Sequence, residues 1–194
     1  MTEPDRPTVA ERYATATEAH SLKVDVKRCG AADVLIAAGM AGDGLGVSLV
    51  RLRAEFDTAR SAVRGTGNNS LTEHMLALMQ MRTLREVKEM VGDLSVKQAI
   101  VTGFRSAHLM TVTGRVLDVF LDPLCHHCEG RGFTGGGRHE QTGPPVLCRP
   151  CGGSGHRTGA IGRNDAERGF ARHMLDLLER SATRAEGEMA RRLR

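Results

Sequence analysis

The chain has 194 residues, which is enough for one ordinary domain and a small additional module. It contains no Trp, one Tyr and five Phe, so its core is predicted to be aliphatic. The opening residues are polar, and no apolar run approaches the roughly 20 residues that span a bilayer. We therefore expect a cytoplasmic protein that makes no contact with membranes.

The net charge of +4 arises entirely in the C-terminal third of the chain. Residues 1–124 carry 15 basic and 15 acidic side chains, whereas residues 125–194 carry 12 basic and 8 acidic ones. All 12 of those bases are arginines, whose planar guanidinium binds phosphates or guanine edges in bidentate fashion. This distribution favours a nucleic-acid partner, although charge alone leaves a merely solvated basic surface open.

The N-terminal part is predicted to be helical after a loose beginning. Residues 1–30 are interpreted as a flexible segment that contains the isolated thiol of Cys29, itself interpreted as buried or free. Residues 31–122 form a predicted helical domain that begins with a short helix over 31–40 and a glycine-rich turn. The next helix, over 45–64, has an apolar face made of Leu49, Leu52, Phe56, Ala59 and Val63.

Two capping-box patterns predict where the following helices begin. The pattern at residues 70–73 opens a helix over 71–91, which Gly92 and Asp93 are expected to end. The pattern at residues 95–98 opens another helix that runs to about Phe120. Pro123 follows and excludes further helix, so the helical domain is expected to end at residue 122.

The strongest pattern in the sequence is a pair of C-x-x-C-x-G-x-G units at residues 125–132 and 148–155. Two such pairs supply the four thiolates of a closed tetrahedral zinc site. The glycines provide the backbone conformations that a chain curling around a metal requires. We predict one structural Zn²⁺ per chain in a module over 123–160, with a two-stranded ribbon between the units; its ligands are Cys125, Cys128, Cys148 and Cys151.

Other uses of these cysteines are less favoured. Disulfides are disfavoured in the expected cytoplasm, and redox-active C-x-x-C pairs usually occur singly beside a βαβ pattern that this chain lacks. A catalytic zinc needs an open coordination position, which four cysteines do not leave. No other catalytic motif is present, so the chain is not expected to be an enzyme.

The C-terminal segment, residues 161–194, is predicted to be helical and to pack on the helical domain. Asn164 and Glu167 form an N-cap pattern, and Phe170, Met174 and Leu177 share one helical face that needs covering. Residues 181–183 suggest an interruption, which would give a helix-turn-helix-like pair. One continuous helix is the alternative, because nothing but Gly187 disfavours it.

Seven arginines of the C-terminal part are candidate DNA contacts. A metal-fixed second cysteine unit would set the direction of the following helix, whose N-terminal amides could meet a phosphate. A second helix after the turn would enter the major groove. The candidates are Arg149, Arg157, Arg163, Arg168, Arg184, Arg191 and Arg192.

Three stretches resemble the late-gene antitermination protein Q family of lambdoid phages, in its lambda-like branch. Residues 32–46 are similar to the family's Asp-Val/Gly-Met-Ala block, residues 97–120 to its helix before the metal site, and residues 125–155 to its zinc finger. The resemblance covers about residues 30–194. Hsp40-type chaperones repeat the same cysteine unit, but they usually carry four units and a His-Pro-Asp motif, which this chain lacks.

The resemblance implies a mainly helical, zinc-containing protein of the bacterial host cytoplasm. Such a protein would bind double-stranded DNA at a late promoter element, contact bacterial RNA polymerase and carry it past terminators. Two alternatives stay open: a zinc-containing DNA-binding transcriptional regulator, and an Hsp40-like zinc module that binds unfolded chains.

Overall fold

The computed structural model describes residues 8–18, 31–40, 44–63, 70–134, 146–157 and 161–193. Over these residues the chain is mainly helical, with one antiparallel two-stranded sheet, as the sequence predicts. The elements are α1 (Val9–Glu18), α2 (Ala31–Met40), α3 (Gly44–Val63), α4 (Ser70–Gln80), α5 (Leu84–Thr102), α6 (Leu109–Leu121), β1 (Phe133–Thr134), β2 (Val146–Leu147) and α7 (Asp165–Arg192). None of the described helices is both long and apolar enough to cross a bilayer.

The core is built around the packing of α7 along α3, with α6 beside both. The predicted apolar face of α3 is buried, and Leu49, Leu52 and Phe56 are fully inaccessible. From the opposite side, Phe170 and Met174 of α7 are 5% and 0% exposed. Burying a Leu, Met or Phe side chain contributes about 1.5–3 kcal/mol, so this apolar seam is the main attachment of the C-terminal segment.

The predicted interruption at residues 181–183 is not formed, because α7 is one helix of 28 residues. Asn164 does cap it, its side-chain oxygen accepting a hydrogen bond from Glu167 N at 2.8 Å. Ala182 and Ala185 are buried, 1% and 0% exposed. Both positions face the core because the helix continues without a turn at residues 181–183. The helix-turn-helix-like pair expected in residues 161–194 is therefore replaced by a single helix over 165–192.

The sequence predicts two helices, over 71–91 and from 95 to about Phe120, where the structure has three: α4 ends at Gln80, and α5 begins at Leu84 and continues to Thr102. Between α4 and α5, Thr83 N and Oγ1 donate to Glu55 Oε2 of α3, which holds the break in place.

Gly92 and Asp93 are inside α5, and the Ser95 hydroxyl donates to the Gly92 carbonyl at 2.7 Å instead of capping a new helix. Gly92 is buried, and a Cβ there would lie 3.1 Å from the terminal methyl group of Met110. The helix ends instead at Gly103, whose φ of 68° is the left-handed conformation that glycine adopts at low cost.

Part of the segment expected to be flexible is ordered structure. Within residues 1–30, α1 packs on α2 and α3, and its Tyr13 and Ala16 are 7% and 1% exposed. The sequence analysis missed this helix because its apolar face consists of few, mostly small residues. Residues 1–7 and 19–30, including Cys29, lie outside the described residues.

A first prediction concerns the close approach of α3 and α7 at Gly46. A Cβ at this position would strike the carbonyl oxygen of Ser181 and the side chain of Ala185. We expect Gly46→Ala to lower the free energy of unfolding by about 1–2 kcal/mol in urea denaturation followed by circular dichroism. The control Gly187→Ala, on the exposed side of α7, should raise it by about 0.5–1 kcal/mol. Equal stability of the two variants would contradict this helix packing.

Candidate metal centre and its attachment to the helices

The four predicted cysteines converge on one point. The Sγ atoms of Cys125 and Cys148 are 3.8 Å apart, and those of Cys128 and Cys151 are 3.7 Å apart. Four sulfurs around one zinc ion, with Zn–S bonds of about 2.3 Å, would be about 3.8 Å apart. Cys125, Cys128 and Cys148 are buried, and Cys151 is partly buried. The group can therefore hold a metal ion.

Each cysteine unit folds into the same tight turn, a knuckle, that directs a backbone amide at a sulfur. Gly132 N donates to Cys128 Sγ at 3.2 Å, and Gly155 N donates to Cys151 Sγ at 3.3 Å. Such bonds stabilise thiolate over thiol. Burial raises the pKa of the Cys151 thiol, but the Gly155 amide and neighbouring groups outweigh it and lower that pKa to about 6. Burial instead raises the pKa of the Cys148 thiol in the same knuckle to about 12, so Cys151 ionises before Cys148 in the metal-free group.

The two knuckles also close on each other by reciprocal hydrogen bonds. Cys125 N donates to Gly155 O, and Cys148 N donates to Gly132 O, both at 2.8 Å. Gly132 and Gly155 have φ of 78° and 75°, and a side chain at either would strike a carbonyl of the opposite knuckle. The last glycine of each C-x-x-C-x-G-x-G unit is therefore required twice, for its conformation and for the close approach.

Arg157, at the end of the second knuckle, attaches the module to α6. Its backbone N donates to Pro123 O at 2.8 Å, and its Nη1 donates to Asp122 O at 3.3 Å. Its Nη2 forms an ion pair with Asp118 Oδ2 on the last turns of α6. The two charged side chains are only 23% and 29% exposed, so solvent screens the pair weakly.

Two histidines extend this network of charges. His74 of α4 is 2% exposed, and its Nε2 lies 2.5 Å from Asp118 Oδ1. His126, from the first knuckle, has Nδ1 at 3.1 Å from Ser70 Oγ and Nε2 at 3.0 Å from Arg157 Nη1. Side chains from α4, α6 and both knuckles therefore meet in one cluster.

The pKa shifts in this cluster follow from its charges. Burial would raise the pKa of Asp118, but hydrogen bonds from His74 and Arg157 outweigh it and lower the pKa to about 2. Burial lowers the pKa of His74, whereas the carboxylates of Asp118 and Asp122 raise it, with a net increase. For His126, burial and the Arg157 guanidinium both lower the pKa, so its ring is neutral. The Asp118 carboxylate is therefore ionised at neutral pH and accepts hydrogen bonds from both Arg157 and His74.

The other candidate arginines lie apart from this cluster. Arg149 is exposed on the second knuckle, whereas Arg163 and Arg168 flank the start of α7, where Arg168 pairs with Asp165 at 2.6 Å. Three more are exposed near the other end of α7: Arg184, Arg191 and Arg192. The structure does not bring the seven together, since α7 is about 42 Å long and separates the two groups.

Sequence reasoning missed several residues of the site. His74, Asp118 and Asp122 showed no spacing pattern, because the cluster is assembled from elements far apart in the chain. Arg172 and Arg180 were also not selected, although both are exposed on α7. Helical spacing from Arg184 and Arg191 was the available signal for Arg180.

Comparison of the chain with protein-family models, with curated proteins and with solved structures gives no match.

A second prediction concerns the role of Arg157. Its removal leaves Asp118 ionised and poorly solvated, so Arg157→Ala should lower the free energy of unfolding by about 2–3 kcal/mol. Arg149→Ala, which removes an exposed arginine of the same knuckle, should change it by less than about 0.5 kcal/mol. Urea denaturation of the metal-loaded proteins measures both. An Arg157→Ala protein as stable as the control would mean that the ion pair is not part of the attachment.

A third prediction concerns the knuckle glycines and separates the need for a positive φ from the need for close approach to the opposite knuckle. Gly152 and Gly155 both have positive φ, but only Gly155 also lies against the backbone of the opposite knuckle. Gly155→Ala should weaken metal binding at least about tenfold more than Gly152→Ala, whose cost is limited to about 1–2 kcal/mol of backbone strain. Competition with a chelator of known zinc affinity measures the difference. Equal losses would show that the close approach is unimportant.

Proposed function

We propose that the protein is a phage transcription antiterminator that binds late-promoter DNA and modifies bacterial RNA polymerase so that it reads through terminators. The resemblance to the Q family suggests this activity. The structural observation that carries the proposal is a row of exposed arginines along one side of α7. Arg180, Arg184 and Arg191 are spaced by four and seven residues, so they share a side of the helix.

The row is suited to the phosphates of a DNA duplex. The opposite side of α7 is buried against α3, so only the arginine-bearing side can meet a ligand. Arginines on a rigid helix lose little freedom on binding, and their guanidinium forks match phosphate oxygens. Arg163 and Arg168 lie at the other end of the same helix, roughly one DNA turn away. We leave Arg157 out of the DNA surface, because its guanidinium is engaged with Asp118.

A structural Zn²⁺ on Cys125, Cys128, Cys148 and Cys151 would hold this surface in place. Tetrahedral thiolate ligation suits zinc, and four cysteines leave no position for a substrate. When bound, the ion would cross-link the two knuckles. The ion would also fix the second knuckle, which Arg157 attaches to the end of α6.

A protein partner is supported by the exposed side chains of the β-ribbon. Phe133, Val146 and Leu147 are 47%, 59% and 60% exposed, next to the knuckles. Exposed aromatic and aliphatic groups that lie together are typical of interaction surfaces. We assign this ribbon to the polymerase, while an Hsp40-like module would use the same groups to bind unfolded chains.

The fourth prediction tests the DNA surface. The triple variant Arg180→Ala, Arg184→Ala, Arg191→Ala should bind promoter DNA at least about tenfold more weakly, and its log–log salt slope should fall by about 2–3. The control removes three exposed bases at and just before the start of α5: Arg82→Ala, Arg85→Ala and Lys88→Ala. The two sets change the net charge equally, and each contains one i,i+4 ion pair. Equal losses in gel-shift titrations would rule out a specific role for α7.

The fifth prediction tests antitermination itself. On templates carrying the late promoter region of the encoding genome followed by a terminator, the protein should increase the read-through fraction of purified bacterial RNA polymerase. Phe133→Ser with Leu147→Ser should abolish this increase while DNA affinity stays unchanged. DNA binding without any read-through would favour a promoter-bound regulator. Salt-insensitive binding of unfolded polypeptide, with no DNA binding, would favour the chaperone-like alternative.

A further inference from the structure

Behind the four-cysteine group, a buried histidine holds its hydrogen on one defined nitrogen. His74 Nε2 lies 2.5 Å from Asp118 Oδ1, and an ionised carboxylate can only accept a hydrogen bond. Nε2 therefore carries the hydrogen, and in the neutral ring Nδ1 is a bare acceptor. This arrangement, with a carboxylate fixing the far nitrogen, is the usual setting of a metal-binding histidine.

The bare nitrogen faces a second buried acceptor. His74 Nδ1 is 3.5 Å from Asp122 Oδ2, the two side chains are 2% and 1% exposed, and neither atom has a hydrogen-bond partner among the described residues. Asp122 is a carboxylate and His74 Nδ1 has no hydrogen-bond partner, so a cation between the two atoms, either a proton on Nδ1 or a metal ion, would satisfy both. The 3.5 Å separation is longer than the length of about 2.7–2.9 Å that is typical of a well-formed charge-assisted N–H···O bond.

A third ligand atom completes the group. His126 Nδ1 is 3.8 Å from Asp122 Oδ2, and single donor atoms of His74, Asp122 and His126 all lie within 4.8 Å of one another. Ligands bound at about 2.1 Å in a tetrahedral shell are about 3.4 Å apart. The two distances to Asp122 Oδ2, 3.5 and 3.8 Å, are close to that value, and the two histidines would have to approach each other on binding an ion.

We propose that His74 Nδ1, Asp122 Oδ2 and His126 Nδ1 form a second metal site, distinct from the four cysteines, for a divalent transition ion of the zinc class. Two imidazoles and one carboxylate suit Zn²⁺ or Co²⁺, whereas Mg²⁺ and Ca²⁺ prefer oxygen ligands throughout. The ion would join α4, the end of α6 and the first knuckle directly.

Two arginines beside the site should lower its affinity for a metal ion. Arg60 Nη1 is 2.8 Å from Asp122 Oδ2 but is not aligned for a hydrogen bond, and Arg157 Nη1 is 3.0 Å from His126 Nε2. A metal on His126 Nδ1 would move the ring hydrogen to Nε2, so Arg157 would keep only its bonds to Asp118 and the Asp122 carbonyl. The guanidiniums of Arg60 and Arg157 already neutralise the charges of Asp122 and Asp118. This site should therefore bind a metal ion more weakly than the four-cysteine site.

An ion can reach the site from the surface. A cavity of about 820 Å³ lies between α4, α6 and the knuckles, and its walls include Ser70, His126 and Arg157. Solvent in this cavity would fill the coordination position that three protein ligands leave open.

The test is a metal count on the full-length protein. Titration with Zn²⁺ against a graded series of chelators should show two equivalents in the wild type, one held more tightly than the other. Asp122→Asn and His126→Ala should each bind one. With Co²⁺, thiolate-to-metal charge-transfer absorption reports the four-cysteine site and should persist in both variants. This signal separates loss of the second ion from loss of the proposed cysteine-bound zinc.

His127→Ala is the matched control, because His127 is the exposed neighbour of His126 and lies on the same knuckle. It should retain two equivalents. A wild-type protein that saturates at one equivalent would overturn the proposal and assign a proton to His74 Nδ1. Two equivalents persisting in both Asp122→Asn and His126→Ala would also overturn it, since the second ion would then lie elsewhere.

Discussion

The ionised carboxylate of Asp118 is the point on which the two halves of the molecule depend. It lies on α6, inside the helical domain, and takes hydrogen bonds from His74 on one side and from Arg157 of the cysteine module on the other. Partial burial keeps these interactions from being screened by solvent. The carboxylate thereby fixes the tautomer of one partner and the position of the other.

Local sequence predicted the features that depend on neighbours in the chain. The four cysteines, the apolar face of α3 and the Asn164 cap each arise from a repeat or spacing within a few residues, and the structure shows all three. The failures depend on distant partners. The break between α4 and α5 is held by Thr83, which donates to Glu55, 28 residues away in the chain. His74 acquires its importance from Asp118, 44 residues away.

The count of charged residues located the basic part of the chain, but it could not show which arginines are engaged within the protein and which are exposed. Arg157 and Arg184 contribute equally to the net charge, yet one is held in the cluster beside His126 and the other is exposed on α7. The difference lies in the acceptors nearby: a carboxylate and a carbonyl converge on Arg157. Only a three-dimensional arrangement reveals which guanidiniums are available to a ligand. The same reasoning brings Arg180 into consideration, because it shares a side of the helix with Arg184.

The pairing of Thr134 with Val146 has a consequence for how this protein can be modified. The strands bring the two ends of the connector side by side, and the knuckles close through their own amides, so neither closure depends on the connector's length. Doubling the length of such a loop costs only about 0.6 kcal/mol of chain entropy. Natural variation in length should therefore concentrate at this point. It is also the natural place to insert a reporter tag or a fluorescent label.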